Sequence, residues 1–222
     1  RRGAVRPVSS FQYSTAPYRI AALRGQAAEA LPGVEIIERE MLPKTNADER
    51  ILVRARLAEI RDAFGQYEAA VHDIEDVLAI ESRVSTDSYG GPALPFLTRV
   101  ACRAGRVDLA ERILAEARAP NPLAIHAQAA ARALVAEHRG RLEEAVEGHR
   151  DAAERWAAFT RPVEEAHAHL GHARCLIALG REAAAAAPLD AARAICERMG
   201  AAPMLAEISA LPDRRTATRW SS

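Results

Sequence analysis

The sequence predicts an all-α protein, an α-solenoid of stacked antiparallel helix hairpins. Composition is the first reason. Apolar residues make up 49% of the 222-residue chain and Ala dominates them, while aromatics account for only 5%. Ala is the strongest helix former, and its small side chain lets helices approach closely. The second reason is what is missing: β-branched residues form no alternating runs, which removes the support for strands. The third is a repeat. Gly25, Gly65, Gly105, Gly140 and Gly180 recur at intervals of 40, 40, 35 and 40 residues. Each is followed five residues later by alanine: Ala30, Ala70, Ala110, Ala145 and Ala185. Periods of this length mark repeat architectures.

A helix that ends at glycine can enter the left-handed cap conformation without a Cβ penalty. The chain then reverses and a second helix begins. The alanine falls one turn into that helix, where two backbones come closest. Residues 1–46 are expected to hold a degenerate unit whose second helix is interrupted by Pro32-Gly33 and resumes from Val34 to Leu42. Ile51, Leu52, Ala55, Leu57 and Ala58, then Tyr67, Ala70, Val71, Ile74, Val77 and Leu78, give a pair of helices over 47–64 and 67–81. The same spacing predicts pairs at 92–104 and 107–118, 122–139 and 142–159, and 162–179 and 182–199. Breakers separate the pairs at Ser82 to Gly91, Pro120 to Pro122, and Thr160 to Pro162. Asp48 and Thr160 have the chemistry of helix N-caps, and Pro162 suits a first helical turn. Gly200 closes the last long helix, Pro203 to Leu211 forms a short cap, and Pro212 to Ser222 reads as a loose tail. The expected organisation is a unit at 1–46, four hairpins over 47–200, and a cap with tail over 201–222.

Thirty basic and thirty acidic residues cancel. Such a chain lacks the electrostatic footprint of a nucleic-acid binder, so direct nucleic-acid binding is not expected. No run of about 18 uncharged apolar residues occurs, so no membrane span is expected. Cys102, Cys175 and Cys196 are odd in number and form no C-x-x-C pair. They read as small buried apolar groups in a reducing, cytoplasmic setting. The chain opens on Arg1 rather than Met, which reads as a fragment or a processed product.

The segment Gly65-Gln66-Tyr67-Glu68-Ala69-Ala70 resembles the turn of a tetratricopeptide repeat (TPR). At the family's apolar and small positions in the second helix this chain has Ile74 and Val77, Leu114 and Ala117, His149 and Ala152, and Leu189 and Ala192. Pro122 matches the family's closing proline in one unit. The repeat departs from the family in being about six residues longer in three of four intervals. It lacks the large aromatic early in the first helix, and only one unit carries the turn aromatic. The resemblance covers residues 47–200 and implies a right-handed superhelix. Thr160 to Gly180 is also similar to the C-terminal arrays of bacterial LuxR-type regulators and adenylate cyclase-like signalling ATPases.

In the resembled family the first helix of each hairpin lines a concave groove. That pattern places Glu59, Asp62, Arg99, Arg103, Glu137, His138, His167 and Arg174 in the binding surface. The asparagine-and-lysine clamp of members that bind chaperone tails has no counterpart, which argues against that ligand. Reversing the charge of Arg99, Arg103 and Arg174 is expected to weaken partner binding without unfolding the array.

Catalytic chemistry finds little support. There is no Gly-rich phosphate loop beyond the isolated Gly90-Gly91 pair, and no G-x-S-x-G elbow. Glu143-Glu144 and Glu164-Glu165 stand at helix starts, where they complement the helix dipole. Trp156 reads as a packing residue near a helix end, and Trp220 lies in the tail. His167, His169, His172 and Cys175 are the densest set of metal-ligand types, but their spacing drifts around one helix side. No H-E-x-x-H accompanies them. No metal or cofactor is expected. The functional expectation is a non-enzymatic scaffold or sensor that binds a protein or peptide, as part of a larger signalling ATPase or regulator. A stand-alone adaptor and a small-molecule receptor remain open alternatives. An exposed apolar face on the unit at 1–46 would favour self-association.

Overall fold

A computed structural model describes residues 10–84, 93–118 and 121–211. The described residues form eleven α-helices and no strand. The chain divides into two compact units, Arg1–Tyr89 and Gly90–Ser222. The all-α expectation holds in both. No helix among the described residues is long and apolar enough to cross a membrane.

The first unit contains α1 (Ser10–Leu23), α2 (Ala27–Ile36), a π turn (Ile37–Met41), a 3-10 turn (Leu42–Lys44), α3 (Ala47–Ala63) and α4 (Tyr67–Val84). The helices pair as α1/α2 and α3/α4, and α1 packs on α3. Ala21, Ala22, Ala30, Val34, Ile37, Leu42, Val53, Leu57 and Ile60 form its core. A buried charge network ties α3 to α4 and to the π turn. Asp73 accepts from Arg54 Nη1 at 2.7 Å and from Arg61 Nη1. Arg61 also pairs with Glu38 at 2.7 Å. Burial drives the Asp73 carboxyl up and keeps it raised against the opposing pull of Arg61 and Arg54.

The second unit contains α5 (Leu94–Arg103), α6 (Val107–Glu116), α7 (Pro122–His138), α8 (Leu142–Ala158), α9 (Pro162–Ala178), α10 (Glu182–Met199) and α11 (Ala202–Ala210). The hairpins are α5/α6, α7/α8 and α9/α10, with α11 capping α10. Each packs on the next through α5 against α7, α6 against α7, and α8 against α9. Gly148 allows α8 to lie close to α7, since a Cβ there would stand 2.9 Å from that of Ala133.

The turns behave as the repeat predicts. Gly25, Gly65, Gly105, Gly140, Gly180 and Gly200 all have φ between 67° and 74°. At each, the glycine N–H bonds back three residues, and the following N–H bonds back five. Examples are Gly65 to Asp62 and Gln66 to Arg61, both at 3.0 Å. This is the Schellman arrangement, which satisfies carbonyls that a helix end leaves unpaired. The alanines five residues on are at most 1% exposed.

The structure corrects several local expectations. Pro32-Gly33 does not interrupt the second helix, which runs unbroken from Ala27 to Ile36. Gly33 serves close packing instead: the Tyr18 ring fills the space that a Cβ would need. The irregularity comes later, at the π turn. Asp48 is not the cap of α3. Asn46 is, accepting from Glu49 N–H at 2.9 Å while Glu49 Oε2 accepts from Asn46 N–H at 3.2 Å. That reciprocal capping box satisfies two end groups at once.

Thr160 is not a cap either. Its φ is 51°, and it occupies the left-handed turn position that glycine holds elsewhere. The cap position of α9 falls on Arg161, whose side chain makes no cap bond, and Pro162 opens the helix as expected. Turn positions 140, 160, 180 and 200 are thus evenly spaced, one per helix. The breaker expected from Ser82 begins later, because α4 continues to Val84. Residues 85–92 and the expected tail from Pro212, with Trp220, lie outside the described residues. Asn121 caps α7 by accepting from Ala124 N–H at 2.9 Å. The other helix ends of the four hairpins coincide with expectation or differ by at most two residues.

Candidate functional site: a charged surface on the first helices

Six of the eight anticipated surface residues come together in the second unit. Arg99 and Arg103 lie on α5, Glu137 and His138 at the end of α7, and His167 and Arg174 on α9. Arg99 is 9% exposed on a helix that is otherwise buried almost all round, and Arg103 is exposed. Glu59 and Asp62 belong to the first unit. There Glu59 accepts a two-pronged hydrogen bond from Arg19, at 2.6 and 3.1 Å, and another from Arg56, while Asp62 is buried.

Arg174 organises the surface. Its Nε and Nη2 donate to the two Glu137 oxygens at 2.7 and 3.0 Å, and its Nη1 donates to Glu207 on α11 at 2.8 Å. Such a fork fixes a carboxylate in plane as well as in place. A further bond to Glu137 comes from His149 of α8, whose Nε2 lies 2.8 Å from Oε2. Burial alone would raise the Glu137 carboxyl. The hydrogen bonds from His149 and Arg174 outweigh it and hold the group at about 2.

A second ion pair, Arg99 to Glu164 at 3.3 Å, joins α5 to α9. His167 is half-buried beside these groups. Burial, then Arg99, Arg174 and Arg103, push its imidazole well below the usual histidine range, so it is neutral at pH 7. Burial also lowers His138, partly opposed by Glu137. Pro95, Arg99, Leu134, Trp156, Glu164 and His167 help to line a cavity of about 20 Å³. Trp156 is a packing residue, as expected, but its buried indole N–H has no hydrogen-bond partner. The cavity has room for one water-sized acceptor.

Four participants escaped the sequence reading. Glu164 looked like a dipole-complementing residue and instead reaches across to Arg99. Glu207 sits on the short cap helix. His149 occupies a position that the repeat reserves for apolar side chains, and that substitution was its only signal. Gly171 on α9 leaves room for the His149 ring. The three clustered histidines do not converge. His169 lies 3.9 Å from Glu165 on its own helix, and Cys175 keeps company with His149 and Glu137. All three cysteines are buried free thiols, and burial pushes Cys102 and Cys175 up to about 12 and Cys196 up to about 11.

The geometry also revises the charge-reversal expectation for Arg174. An acidic group there would stand beside both Glu137 and Glu207, so its reversal disturbs the fold itself.

No family profile and no curated protein matches the chain. Solved structures do. A crystal structure of a Podosopora anserina putative kinesin light chain with nearly identical TPR-like repeats matches at 23% identity with a TM-score of 0.51. The match covers 83% of this chain and 94% of that one. A second crystal structure, of a single-substitution form of the same protein, gives 23% identity, a TM-score of 0.52, and coverage of 83% and 93%. The fold is therefore that of a TPR-like α-solenoid of stacked antiparallel hairpins.

Proposed function

We propose that this chain is a protein-interaction module that holds an extended peptide segment against the surface formed by α5, α7 and α9. The observation that carries the reading is the gathering of Arg99, Arg103, Glu137, His138, His167 and Arg174 from three successive first helices. Mixed charges fixed by cross-helix pairs suit a partner that presents both a carboxylate and a cation. The TPR-like fold supports the reading. The likeness of Thr160 to Gly180 to the C-terminal arrays of bacterial signalling ATPases supports a place as the cytoplasmic sensor or scaffold of such a protein, with nucleotide chemistry done by its parent.

The test is a displayed random-peptide selection on the purified chain. Winning peptides are then measured against two surface variants. One is the charge swap Arg99→Glu with Glu164→Arg, which keeps the cross-helix pair while inverting its polarity. The other is Arg103→Glu. The reading expects selected peptides to lose at least about tenfold in affinity on either variant, which is about 1.4 kcal/mol. Peptides that bind both variants unchanged, with circular dichroism unaltered, would place the binding surface elsewhere.

A further inference from the structure

Glu137, His149 and Cys175 meet from α7, α8 and α9, and one donor atom from each lies within 4.8 Å of the other two. His149 and Cys175 are buried, and the Glu137 side chain is 12% exposed. Thiolate, imidazole and carboxylate are the donor set of zinc, whose tetrahedral bonds put donors roughly 3.3–3.8 Å apart. Binding would draw the three donors in from their present separations, all within 4.8 Å, to that spacing. We propose that Glu137, His149 and Cys175 form a three-ligand site for a transition-metal dication of the zinc class, with water in the fourth position.

Two observations beyond the donor set support a built site. Gly171 keeps the space for the imidazole, since a Cβ there would lie 2.5 Å from the ring. Arg174 orients the carboxylate from outside, as the partner of a metal ligand does. A carboxylate offers about four lone-pair directions. Arg174 and His149 use three of them, which leaves one on Oε1 for the cation.

Charge balance points the same way. Glu137, Arg174 and Glu207 together carry one net negative charge. A dication together with a Cys175 thiolate cancels it. On binding, the Cys175 thiol gives its proton to solvent. The His149 Nε2 lone pair turns to the metal, the ring proton resides on Nδ1, and the Nε2 hydrogen bond to Glu137 is replaced by two bonds through the cation. Affinity therefore rises with pH.

Cobalt(II) is the probe, titrated into the full chain after chelator treatment and without a tag. One equivalent is expected to bring up a thiolate-to-cobalt charge-transfer band and the intense visible bands of a four-coordinate ion, and zinc is expected to displace both. Cys175→Ser should abolish the charge-transfer band, and His149→Gln should weaken binding at least tenfold. Cys102→Ser and Cys196→Ser should change nothing. A folded wild-type chain that shows no such band at one equivalent overturns the proposal. So does a band that survives Cys175→Ser or vanishes with Cys102→Ser.

Discussion

Gly171 on α9 faces the His149 ring of α8 so closely that an added Cβ would stand 2.5 Å from it. Alanine is favoured over glycine in a helix interior by about 1 kcal/mol. Overpacking a core costs about 1–3 kcal/mol. The ring is held by its 2.8 Å bond to Glu137, which a shift away from the new methyl would break, so overpacking wins, and Gly171→Ala should destabilise the protein by about 1 kcal/mol or more. In a His149→Ala background the same change should become neutral or stabilising. Urea unfolding of the four proteins gives the coupling. Identical effects in both backgrounds would show that the ring does not occupy that space.

Thr160 holds a left-handed turn with φ 51°, where six other turns have glycine. A β-branched residue in that region is strained by about 1–2 kcal/mol. Thr160→Gly should therefore raise stability by about 1 kcal/mol, despite loss of the exposed hydroxyl bond to the Phe159 carbonyl at 2.8 Å. Gly140→Ala and Gly180→Ala should lower it by about the same amount. A lower thermal midpoint in Thr160→Gly would refute the equivalence of these turns.

Asp73 on α4 is fully buried between Arg54 and Arg61. Asp73→Ala leaves Arg61 buried with one acidic partner fewer, and breaking a buried pair costs about 3–5 kcal/mol. Hydrogen exchange should localise the loss to the first unit. Loss of less than about 1 kcal/mol would mean that the network is dispensable.

His167 is held neutral by burial and by the neighbouring Arg99, Arg174 and Arg103. Its folded pKa lies below its unfolded value of about 6.5. The unfolded chain thus binds the extra proton first, and stability falls as pH drops below about 6.5. His138, His169 and His172 are also lowered and add to the slope. The thermal midpoint should decline between about pH 7 and pH 5, and less steeply in His167→Asn. Equal slopes would remove His167 from the account.

The hairpins were legible because glycine at a Schellman turn and alanine at a close approach are dictated by backbone geometry, which repeats. Thr160 broke the pattern because its conformation is imposed by the flanking helices rather than by its own preference. The capping box at Asn46 and Glu49 was written in the sequence as N-x-x-E, yet Asp48 drew the assignment. The candidate surface residues rested on the family pattern alone. Which carboxylate each arginine would meet was not legible. Arg99 and Glu164 are 65 positions apart, and Arg174 and Glu137 are 37 apart. Hairpin stacking, not local spacing, decides those pairs. His149 was hidden for the same reason, since its meaning depends on a carboxylate one helix back and a glycine one helix on.

Arg174 of α9 locks onto Glu137 of α7 and so joins the first helices of two consecutive hairpins. A double-mutant cycle on Glu137→Gln and Arg174→Gln, followed by urea unfolding at neutral pH in metal-free buffer, measures that lock. The geometry predicts a coupling of at least about 2 kcal/mol. A coupling below about 0.5 kcal/mol, with both single variants folded, would contradict it.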